Sequence, residues 1–453
     1  SLLRDGMENC NVAMKWVPTT HQSADVLTKE ATVQDERTQF FAQVLREGLY
    51  TLGPDKRAPT EKRVMVVTDV EMASSDSVIT TLSSLRKESV DAVLFDRVRI
   101  EPTDGSLKAA INVASEGMFD GFVAVGGGSS IDTAKVANLY STYPAEFLTY
   151  VNQPIGLGRP VPGPLKPLAA IPTTTGTGSE TTGVAIFDLE EMHAKTGISH
   201  RRLRPTIGLV DPENTKTLPG MVVACSGLDV LCHGLESFTA LPFSQRLKSD
   251  NPGMRPSYQG SNPISDVWSL KAIEMVSKNI EGAVNDPGDY KARSNMLLAA
   301  TFAGVGFGNA GCHLPHGMSY PVSGMVREYI PDGYPKDHPI IPHGMSVALN
   351  APAVFRFTAP SNLERHLQAA KVLGTDAWKA SLDDAGDILS AEIITIMKKI
   401  HMPNGLNSVG FNNNDGPSLA KGTLPQHRVT KLSPREANEN DLSQLFVESM
   451  KLW

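Results

Sequence analysis

The 453-residue chain has few cysteines, and their positions exclude some classes of protein. The four cysteines are Cys10, Cys225, Cys232 and Cys312, and they form no C-x-x-C pair and no dense pattern. A disulfide framework or a zinc ribbon needs such spacing. We therefore expect free thiols that act as small packing residues in a reducing compartment.

The sequence also lacks long apolar runs and an excess of positive charge. It has no stretch of about 18 consecutive apolar residues, so we expect no transmembrane span. The first residues, SLLRDGMENC, contain no apolar core of the signal-peptide type, and no mitochondrial targeting segment is visible. The net charge of −7 argues against general attraction to nucleic acid or to anionic membranes.

What is present predicts two domains, because the chain is too long for one ordinary domain. Strand-like and helix-like segments alternate in the first half, which favours βαβ units and a mostly parallel sheet. The predicted strands are RVMVVTD (63–69), DAVLFD (91–96), GFVAVGGG (121–128) and PLAAIPTTT (167–175). Helical periodicity dominates later, as in 266–284 and 291–308. We predict an α/β nucleotide-binding domain over 1–212 and an all-α domain over 213–453.

Other parts of the chain stand apart from this pattern. Residues 1–60 are polar and irregular, except for an amphipathic helix predicted near 36–50. The segments 242–263 and 327–342 are rich in proline, glycine and polar residues, which is typical of surface insertions.

The segment FVAVGGGSSIDTAK leads from a buried strand through three glycines into a helix start. Glycines let backbone N–H groups approach an anion closely, and a helix N-terminus adds unpaired donors. The segment therefore suits phosphate or pyrophosphate. It has neither the G-x-G-x-x-G pattern nor the Lys-Ser/Thr end of a Walker loop, so a tight strand-to-helix turn is the alternative.

The segment IPTTTGTGSET (171–181) concentrates hydroxyls and backbone donors after another strand. Both segments follow parallel strands, so we expect them at one sheet edge, where α/β proteins bind ligands. A threonine-rich loop that caps the next helix is the alternative. Asp69 ends the first predicted strand, where an acid either accepts hydrogen bonds from an adenosine ribose or serves as a turn or cap residue.

The segment GLDVLCHGLE (227–236) places Asp229 and His233 four residues apart, on one face of a predicted helix. Such a pair suits Zn²⁺ or Fe²⁺. The alternative is that Asp229 binds no metal and only holds the neighbouring imidazole. Spacing alone does not choose further ligands among the downstream histidines, which are His313, His316, His338 and His343.

Taken in order, GGGSSIDTAK, IPTTTGTGSE, SGLDVLCHGLE, LPHGMSYPVSG and IPHGMS resemble the iron-containing alcohol dehydrogenase family. That family's fold is similar to those of dehydroquinate synthase and glycerol dehydrogenase. The resemblance covers residues 61 to 350, and a looser match continues to the end. It implies an oxidoreductase acting on CH–OH groups, with NAD and a divalent metal, Fe²⁺ or Zn²⁺.

The resemblance also implies a metal-ligand set. The family's one Asp and three His match Asp229, His233, His316 and His343. His313 falls outside the family pattern and becomes a packing residue or a neighbour of a ligand. His338 lies in an insertion.

Further residues match the family's cofactor positions. Those positions are Gly127, Gly128, Ser129, Thr173, Thr174 and Thr177. Lys195 resembles the family lysine near the cofactor, and Asp69 resembles the family acid on the adenosine ribose, which favours NAD over NADP.

The chain departs from the family at two places. Many members carry a second histidine four residues after the third ligand, near the nicotinamide, and here Tyr320 occupies that position. The resemblance thus implies His316 and Tyr320 as catalytic residues, with the Tyr320 hydroxyl or water in place of a histidine relay. Residues 1–36 do not resemble the family's opening strand and glycine-rich turn.

Three segments resemble a mitochondrial branch of the family that transfers hydride between hydroxy acids and oxo acids: RPSYQGSNPISD (255–266), the spacer at 327–344 and the tail that begins at 421. This resemblance implies oxidation of 4-hydroxybutanoate to succinate semialdehyde and reduction of 2-oxoglutarate to D-2-hydroxyglutarate, with tightly bound NAD. It also implies a mitochondrial location and self-association. The net charge and the lack of long apolar runs predict neither nucleic acid nor membrane insertion as partners.

Alternatives stay open for the function. They are an NAD-dependent alcohol dehydrogenase with a releasable cofactor, a lyase of the dehydroquinate synthase type and a non-catalytic paralogue. Both implied substrates carry a carboxylate remote from the reacting carbon, which calls for a fixed cation such as an arginine fork. Arg246, Arg255 and Arg327 are candidates, and a solvated loop arginine is the alternative for each.

Overall fold

The computed structural model describes residues 13–16, 62–192, 194–247, 256–375 and 380–453, and the statements below concern these residues. Its strands are β1 (Ala13–Trp16), β2 (Arg63–Asp69), β3 (Asp91–Val98), β4 (Gly121–Gly126), β5 (Leu168–Pro172), β6 (Val184–Leu189), β7 (Ala194–Ser199) and β8 (Ile207–Val210). Six of them form one parallel sheet in the order β1–β8–β5–β4–β2–β3. Strands β6 and β7 form a separate antiparallel hairpin.

Three helices connect the strands of the parallel sheet: α1 (Asp76–Lys87), α2 (Asp104–Gly117) and α3 (Gly128–Thr142). Their starts follow from capping chemistry, because the Ser75 side chain accepts a hydrogen bond from the backbone of α1 and Thr103 forms a capping box on α2. Every residue of β4 is buried, as expected for a central strand covered by helices on both faces.

The remaining elements are helices. They are α4 (Gly220–Thr239), α5 (Pro263–Asn285), α6 (Tyr290–Ala310), α7 (Leu314–Gly324), α8 (His343–Ala348), α9 (Ala351–Thr358), α10 (Leu363–Leu373), α11 (Ala385–Lys399), α12 (Gly416–Thr423), α13 (His427–Thr430) and α14 (Glu439–Ser449). The predicted fold class, a parallel α/β part followed by a helical part, is therefore confirmed. The domain boundary at residue 212 stays a prediction.

The structure departs from the predicted strands in several ways. Strand β3 continues to Val98, and strands β6, β7 and β8 were not predicted. Strands β4 and β5 end earlier than predicted, because Gly127 already caps α3 and Thr173 already lies in the loop beyond β5. The prediction that residues 1–60 are irregular misses β1, which pairs in parallel with β8 at the sheet edge. The helix predicted near 36–50 lies outside the described residues.

Helix α4 forms the centre of the helical part and is buried along most of its length. Its glycines allow close packing, since a Cβ at Gly234 would lie 2.8 Å from Ile273 Cγ1 on α5. The helix is long and apolar enough to span a membrane by composition, yet 83% of its apolar window is buried inside the protein. Its hydrophobicity therefore reflects core packing. Cys225 and Cys232 on this helix are free and buried, as is Cys312.

The carboxyl edge of the sheet packs directly against the helical part. The backbone of Gly178, in the loop after β5, approaches Gly304 on α6 so closely that a Cβ on Gly304 would lie 3.1 Å from Gly178 Cα. Nearby, the Thr301 hydroxyl donates to buried Glu180 Oε1 at 2.9 Å. The loops at the sheet edge therefore face the helices that follow.

The buried imidazole of His366 predicts acid sensitivity of the fold. Its Nδ1–H donates to the Asn362 carbonyl at 2.8 Å, and its Nε2 accepts from Thr358 Oγ1 at 2.9 Å. Burial lowers the pKa of His366 from 6.5 to about 4. The unfolded chain therefore binds more protons below pH 6.5, and this contribution to stability is lost as the pH falls from 6.5 towards 4.

We expect wild-type protein to lose about 1–2 kcal/mol more unfolding free energy between pH 7 and pH 5 than His366→Asn does. Urea denaturation at the two pH values measures this difference. His401→Asn, at an exposed histidine, should keep the wild-type pH dependence. Equal pH dependence in wild type and His366→Asn would contradict this prediction.

Candidate metal centre and substrate cleft

Four side chains from three helices converge on one point. Asp229 and His233 lie one turn apart on α4, His316 lies in the first turn of α7, and His343 begins α8. Asp229 Oδ1 lies 3.5 Å from His316 Nε2, and 3.7 Å from the Nε2 atoms of both His233 and His343. The structure thus brings together the four residues that the family resemblance implies as ligands.

A glycine allows this convergence. A Cβ at Gly344 would lie 2.0 Å from the carbonyl oxygen of Cys225 and 2.9 Å from Asp229 Cβ. Any other residue at this position would push the start of α8 away from α4. Gly344 therefore sets the distance between His343 and Asp229.

The donor set fits a divalent cation. Asp229 Oδ1 and His316 Nε2 are buried, and neither has a hydrogen-bond partner among the described residues. Burial lowers the pKa of His233 to about 3, which keeps this imidazole neutral. Burial raises the pKa of Asp229, but the nearby His233 and His343 lower it more, so the carboxylate stays ionised. One carboxylate and three imidazoles suit Fe²⁺ or Zn²⁺.

Glu236 orients His316, a role that the sequence analysis did not assign. Its Oε1 lies 2.6 Å from His316 Nδ1, and its Oε2 accepts from the backbone N–H of His313 at 2.7 Å. An ionised carboxylate only accepts, so Nδ1 carries the proton and Nε2 faces Asp229. The position of Glu236, one turn after His233, was the only sequence signal for this contact.

His316 also titrates under the influence of its neighbours. Burial lowers its pKa, but Cys312, Glu236 and Asp229 together hold it well above its ordinary value. An incoming cation therefore competes with a proton for this imidazole.

The two histidines outside the predicted ligand set lie elsewhere. His313 is fully buried, and its Nε2 hydrogen-bonds Thr239 Oγ1 at 2.9 Å. His338 pairs with Asp337 at 2.9 Å in the irregular segment before α8. Both positions agree with the implied ligand set, which stays a prediction.

The glycine and threonine loops pack face to face, as expected at one sheet edge. A Cβ at Gly127 would lie 3.1 Å from Thr174 Cγ2, and one at Gly128 would lie 2.6 Å from Thr177 Cγ2. The Thr173 backbone N–H donates to the Gly126 carbonyl at 3.0 Å. A side chain at Gly128 would overlap Thr177 and one at Gly127 would crowd Thr174, so glycines at both positions favour this approach.

Two other predicted cofactor residues already have partners in the protein. Asp69 Oδ1 accepts from the Met72 backbone N–H at 3.0 Å, so it serves as a turn residue at the end of β2. Lys195 Nζ lies 2.7 Å from Glu101 Oε2 and 3.0 Å from Asp188 Oδ1. Their roles towards NAD stay predictions.

Glu101, which the sequence analysis did not single out, connects the two parts of the protein. One of its oxygens pairs with Lys195, and the other accepts from the backbone N–H of His343 at 3.2 Å. Burial raises the pKa of Glu101, but Lys195 and His343 lower it by more than that. The net pKa is below its ordinary value, so the carboxylate stays ionised. The α/β part thereby holds the first residue of α8.

One cavity connects the loops with the convergent ligands. It encloses about 720 Å³ of unfilled space, part of it open to solvent. Gly128, Ser129 and Thr177 line it together with all four predicted ligands. Its wall also includes Tyr258, Phe307, Cys312, Tyr320, Arg428 and Val429.

Two of the three arginines that the sequence suggested for a substrate carboxylate, Arg246 and Arg327, do not line this cavity. Arg246 donates to the Tyr258 carbonyl at 2.7 Å, and Arg327 pairs with Asp415 at 2.6 Å. Arg255 lies outside the described residues. Arg428, which the sequence analysis missed, is the arginine on the described cavity wall.

Two family models match most of the chain. One, described as iron-containing alcohol dehydrogenase, matches residues 46–212. The other, described as the C-terminal part of the Fe-containing alcohol dehydrogenase family, matches residues 257–450. The first range includes both loops of the cleft, and the second includes His316 and His343.

Individual proteins show the same similarity. A hydroxyacid-oxoacid transhydrogenase from Rattus norvegicus, named as mitochondrial, is 53% identical over 89% of this chain and 86% of its own length. A crystal structure of 1,3-propanediol oxidoreductase matches with a TM-score of 0.76 and 25% identity, over 90% of this chain and 95% of its own. A sulfoacetaldehyde reductase from Bifidobacterium kashiwanohense, solved in complex with NAD⁺, shares the fold with a TM-score of 0.68 and 22% identity, over 89% and 93% of the two chains.

The two neighbouring histidines of the α7 segment provide a test of the metal centre. We expect His316→Asn to lose most bound divalent metal, because it removes an imidazole that faces Asp229. His313→Asn should keep its metal, because the His313 ring contacts Thr239. Elemental analysis of the purified, folded proteins measures the metal content of both variants. Equal metal content in the two would refute the assignment of His316.

Proposed function

Because this chain belongs to the iron-containing alcohol dehydrogenase family, we propose that it is a hydroxyacid-oxoacid transhydrogenase. It oxidises 4-hydroxybutanoate to succinate semialdehyde and reduces 2-oxoglutarate to D-2-hydroxyglutarate. The observation that carries the proposal is the single cavity that joins the convergent Asp229 cluster to the glycine and threonine loops. The name and the 53% identity of the Rattus norvegicus relative support hydride transfer between a hydroxy acid and an oxo acid, and the particular substrates are those that the family resemblance implies.

The proposed cofactors are a divalent cation, iron or zinc, and a tightly held NAD. The cation, when bound, supplies Lewis acidity, and the nicotinamide accepts and returns a hydride. Asp229, His233, His316 and His343 would hold the cation. The NAD⁺ complex of the sulfoacetaldehyde reductase supports the choice of nicotinamide cofactor.

The residues of this chain position the reactants. Glu236 fixes the orientation of the His316 ring through its hydrogen bond to Nδ1. The start of α3, where Gly128 and Ser129 line the cavity, suits the pyrophosphate of NAD as a helix N-terminus. Phe307 stacks on His233 with ring centroids 3.9 Å apart, and it places an apolar surface beside the cluster.

We assign proton transfer to Tyr320. Its hydroxyl oxygen accepts a hydrogen bond from Arg428 Nη2, so its own proton is free to point towards a substrate oxygen. The side chain is buried and lines the cavity, one helical turn after His316. This role replaces the histidine that many members of the family carry at the position.

We propose a mitochondrial location because the similar curated proteins are named as mitochondrial. Small hydroxy and oxo acids are the proposed partners of the site, and self-association of the chain is proposed from family resemblance.

Turnover without free NAD tests the proposed function. We expect purified protein, mixed with 4-hydroxybutanoate and 2-oxoglutarate but no added NAD, to form succinate semialdehyde and D-2-hydroxyglutarate in equal amounts. Quantitative mass spectrometry measures both products, and His316→Asn provides the inactive control. Activity that requires added NAD and no oxo acid would instead identify an alcohol dehydrogenase with a releasable cofactor.

A Tyr320→Phe variant tests the proton-transfer role. We expect kcat to fall about 100-fold, a usual effect for loss of a general acid or base. Metal and NAD contents should stay at wild-type levels, because the variant loses only the hydroxyl and keeps the phenyl ring in place. Steady-state kinetics with elemental and nucleotide analysis measures these quantities, and an unchanged kcat would exclude Tyr320 from proton transfer.

A further inference from the structure

Arg428 occupies an unusual place on the cavity wall. It lies on the short helix α13, and it is the lone lysine or arginine among the described residues that line the cavity. The sequence gives no spacing signal for it, because it lies more than one hundred residues beyond His316. Its position therefore emerges from the fold alone.

The guanidinium of Arg428 contacts neutral groups. It donates through Nη2 to the Tyr320 hydroxyl, and its central carbon lies 5.1 Å from the centre of the Tyr258 ring. No carboxylate in the described parts of the chain forms an ion pair with it. By contrast, the guanidinium groups of Arg327 and Arg365 pair with aspartates, Asp415 and Asp266, each at 2.6 Å.

Two sets of contacts tie Arg428 to the metal centre. Through Tyr320 it adjoins the helical face of α7 that carries His316, because residues four apart share a face. Through Tyr258 it adjoins Phe307, since the ring centres of Tyr258 and Phe307 lie 6.5 Å apart. The Phe307 ring in turn stacks on His233. Tyr320 and Tyr258 therefore connect the guanidinium to residues that pack beside the imidazoles.

We propose that Arg428 binds the carboxylate that the hydroxy acid and the oxo acid have in common. This inference rests on the proposed function and deepens it. A half-buried guanidinium without an anionic partner can still form an ion pair. A substrate carboxylate can accept two parallel hydrogen bonds from the guanidinium N–H groups. The wall thus offers a fixed positive charge for the end of the substrate remote from the reacting carbon.

One such subsite serves both half-reactions. In 4-hydroxybutanoate, two methylene groups separate the carbinol carbon from the carboxylate. In 2-oxoglutarate, two methylene groups separate the keto carbon from the distal carboxylate. A single guanidinium at a fixed position therefore places either reacting carbon at the same point, which a shared hydride carrier requires.

A purely structural role for Arg428 makes a different prediction. If the guanidinium only held α13 against α7 through Tyr320, its loss would change the KM for charged and for neutral substrates to the same extent. If it binds a carboxylate, its loss selectively weakens substrates that carry one. The comparison of an acid with a neutral alcohol separates the two roles.

The experiment uses full-length, metal-loaded Arg428→Gln, Arg428→Lys and wild-type protein with added NAD. We expect the KM for 4-hydroxybutanoate to rise about 10–100-fold in Arg428→Gln, as for loss of a hydrogen bond to a charged group. The KM for butan-1-ol, which has the same chain without the carboxylate, should not rise. The KM of Arg428→Lys for 4-hydroxybutanoate should lie between those of wild type and Arg428→Gln, because lysine keeps the charge but lacks the forked donors of arginine.

Arg435→Gln provides a matched control. Like Arg428, Arg435 lies over an aromatic ring, with its guanidinium carbon 4.0 Å from the centre of the Phe357 ring. It donates to the Phe357 backbone carbonyl and does not line the cavity. We expect wild-type KM values for both substrates in this variant.

Calorimetric titration with butanoate, which has the carboxylate but no reacting hydroxyl, adds a measurement without turnover. We expect butanoate to bind wild-type protein and to bind Arg428→Gln about 10-fold or more weakly. Equal changes for acid and alcohol, or no change in butanoate affinity, would overturn the proposal. Failure of the transhydrogenase reaction without free NAD would contradict the proposed function but leave this titration decisive for Arg428.

Discussion

The convergence of three imidazoles on one buried carboxylate constrains the rest of this structure. The desolvation of Asp229 in the core of the helical part needs compensation, which the His316 ring, with its raised pKa, or a cation held by the cluster would supply. His233 comes from its own helix, but His316 and His343 must be brought from separate helices to within 4 Å. The tight packing of α4, the glycine at position 344 and the Glu236 hydrogen bond all serve that approach.

The sequence predicts much of this arrangement, because local patterns determine it. The order of strands and helices follows from apolar periodicity and from caps such as Thr103, so the fold class could be predicted. The glycine and threonine loops could be placed together because parallel strands end at one sheet edge. Asp229 and His233 could be paired because one helical turn separates them.

The remaining features depend on contacts between distant residues. Spacing alone could not separate His313 from His316, because the distinction arises where Glu236, about eighty residues earlier, contacts the backbone of one and the ring of the other. The arginines suggested by composition lie in insertions, whereas Arg428 reaches the cavity through the packing of α13 against α7. Strand β1 was missed because four residues of an edge strand carry too little periodicity to detect.

The two contacts of Glu101 have a consequence for how binding events communicate. This carboxylate accepts from Lys195 on the side of the nucleotide loops and from the backbone of His343 on the side of the metal centre. A ligand that draws Lys195 away from Glu101 changes the charge that holds His343. Thermodynamic reciprocity then requires that occupancy of each site alter the affinity of the other by the same factor. The shared carboxylate therefore places the nucleotide loops and the start of α8 in one connected set of contacts.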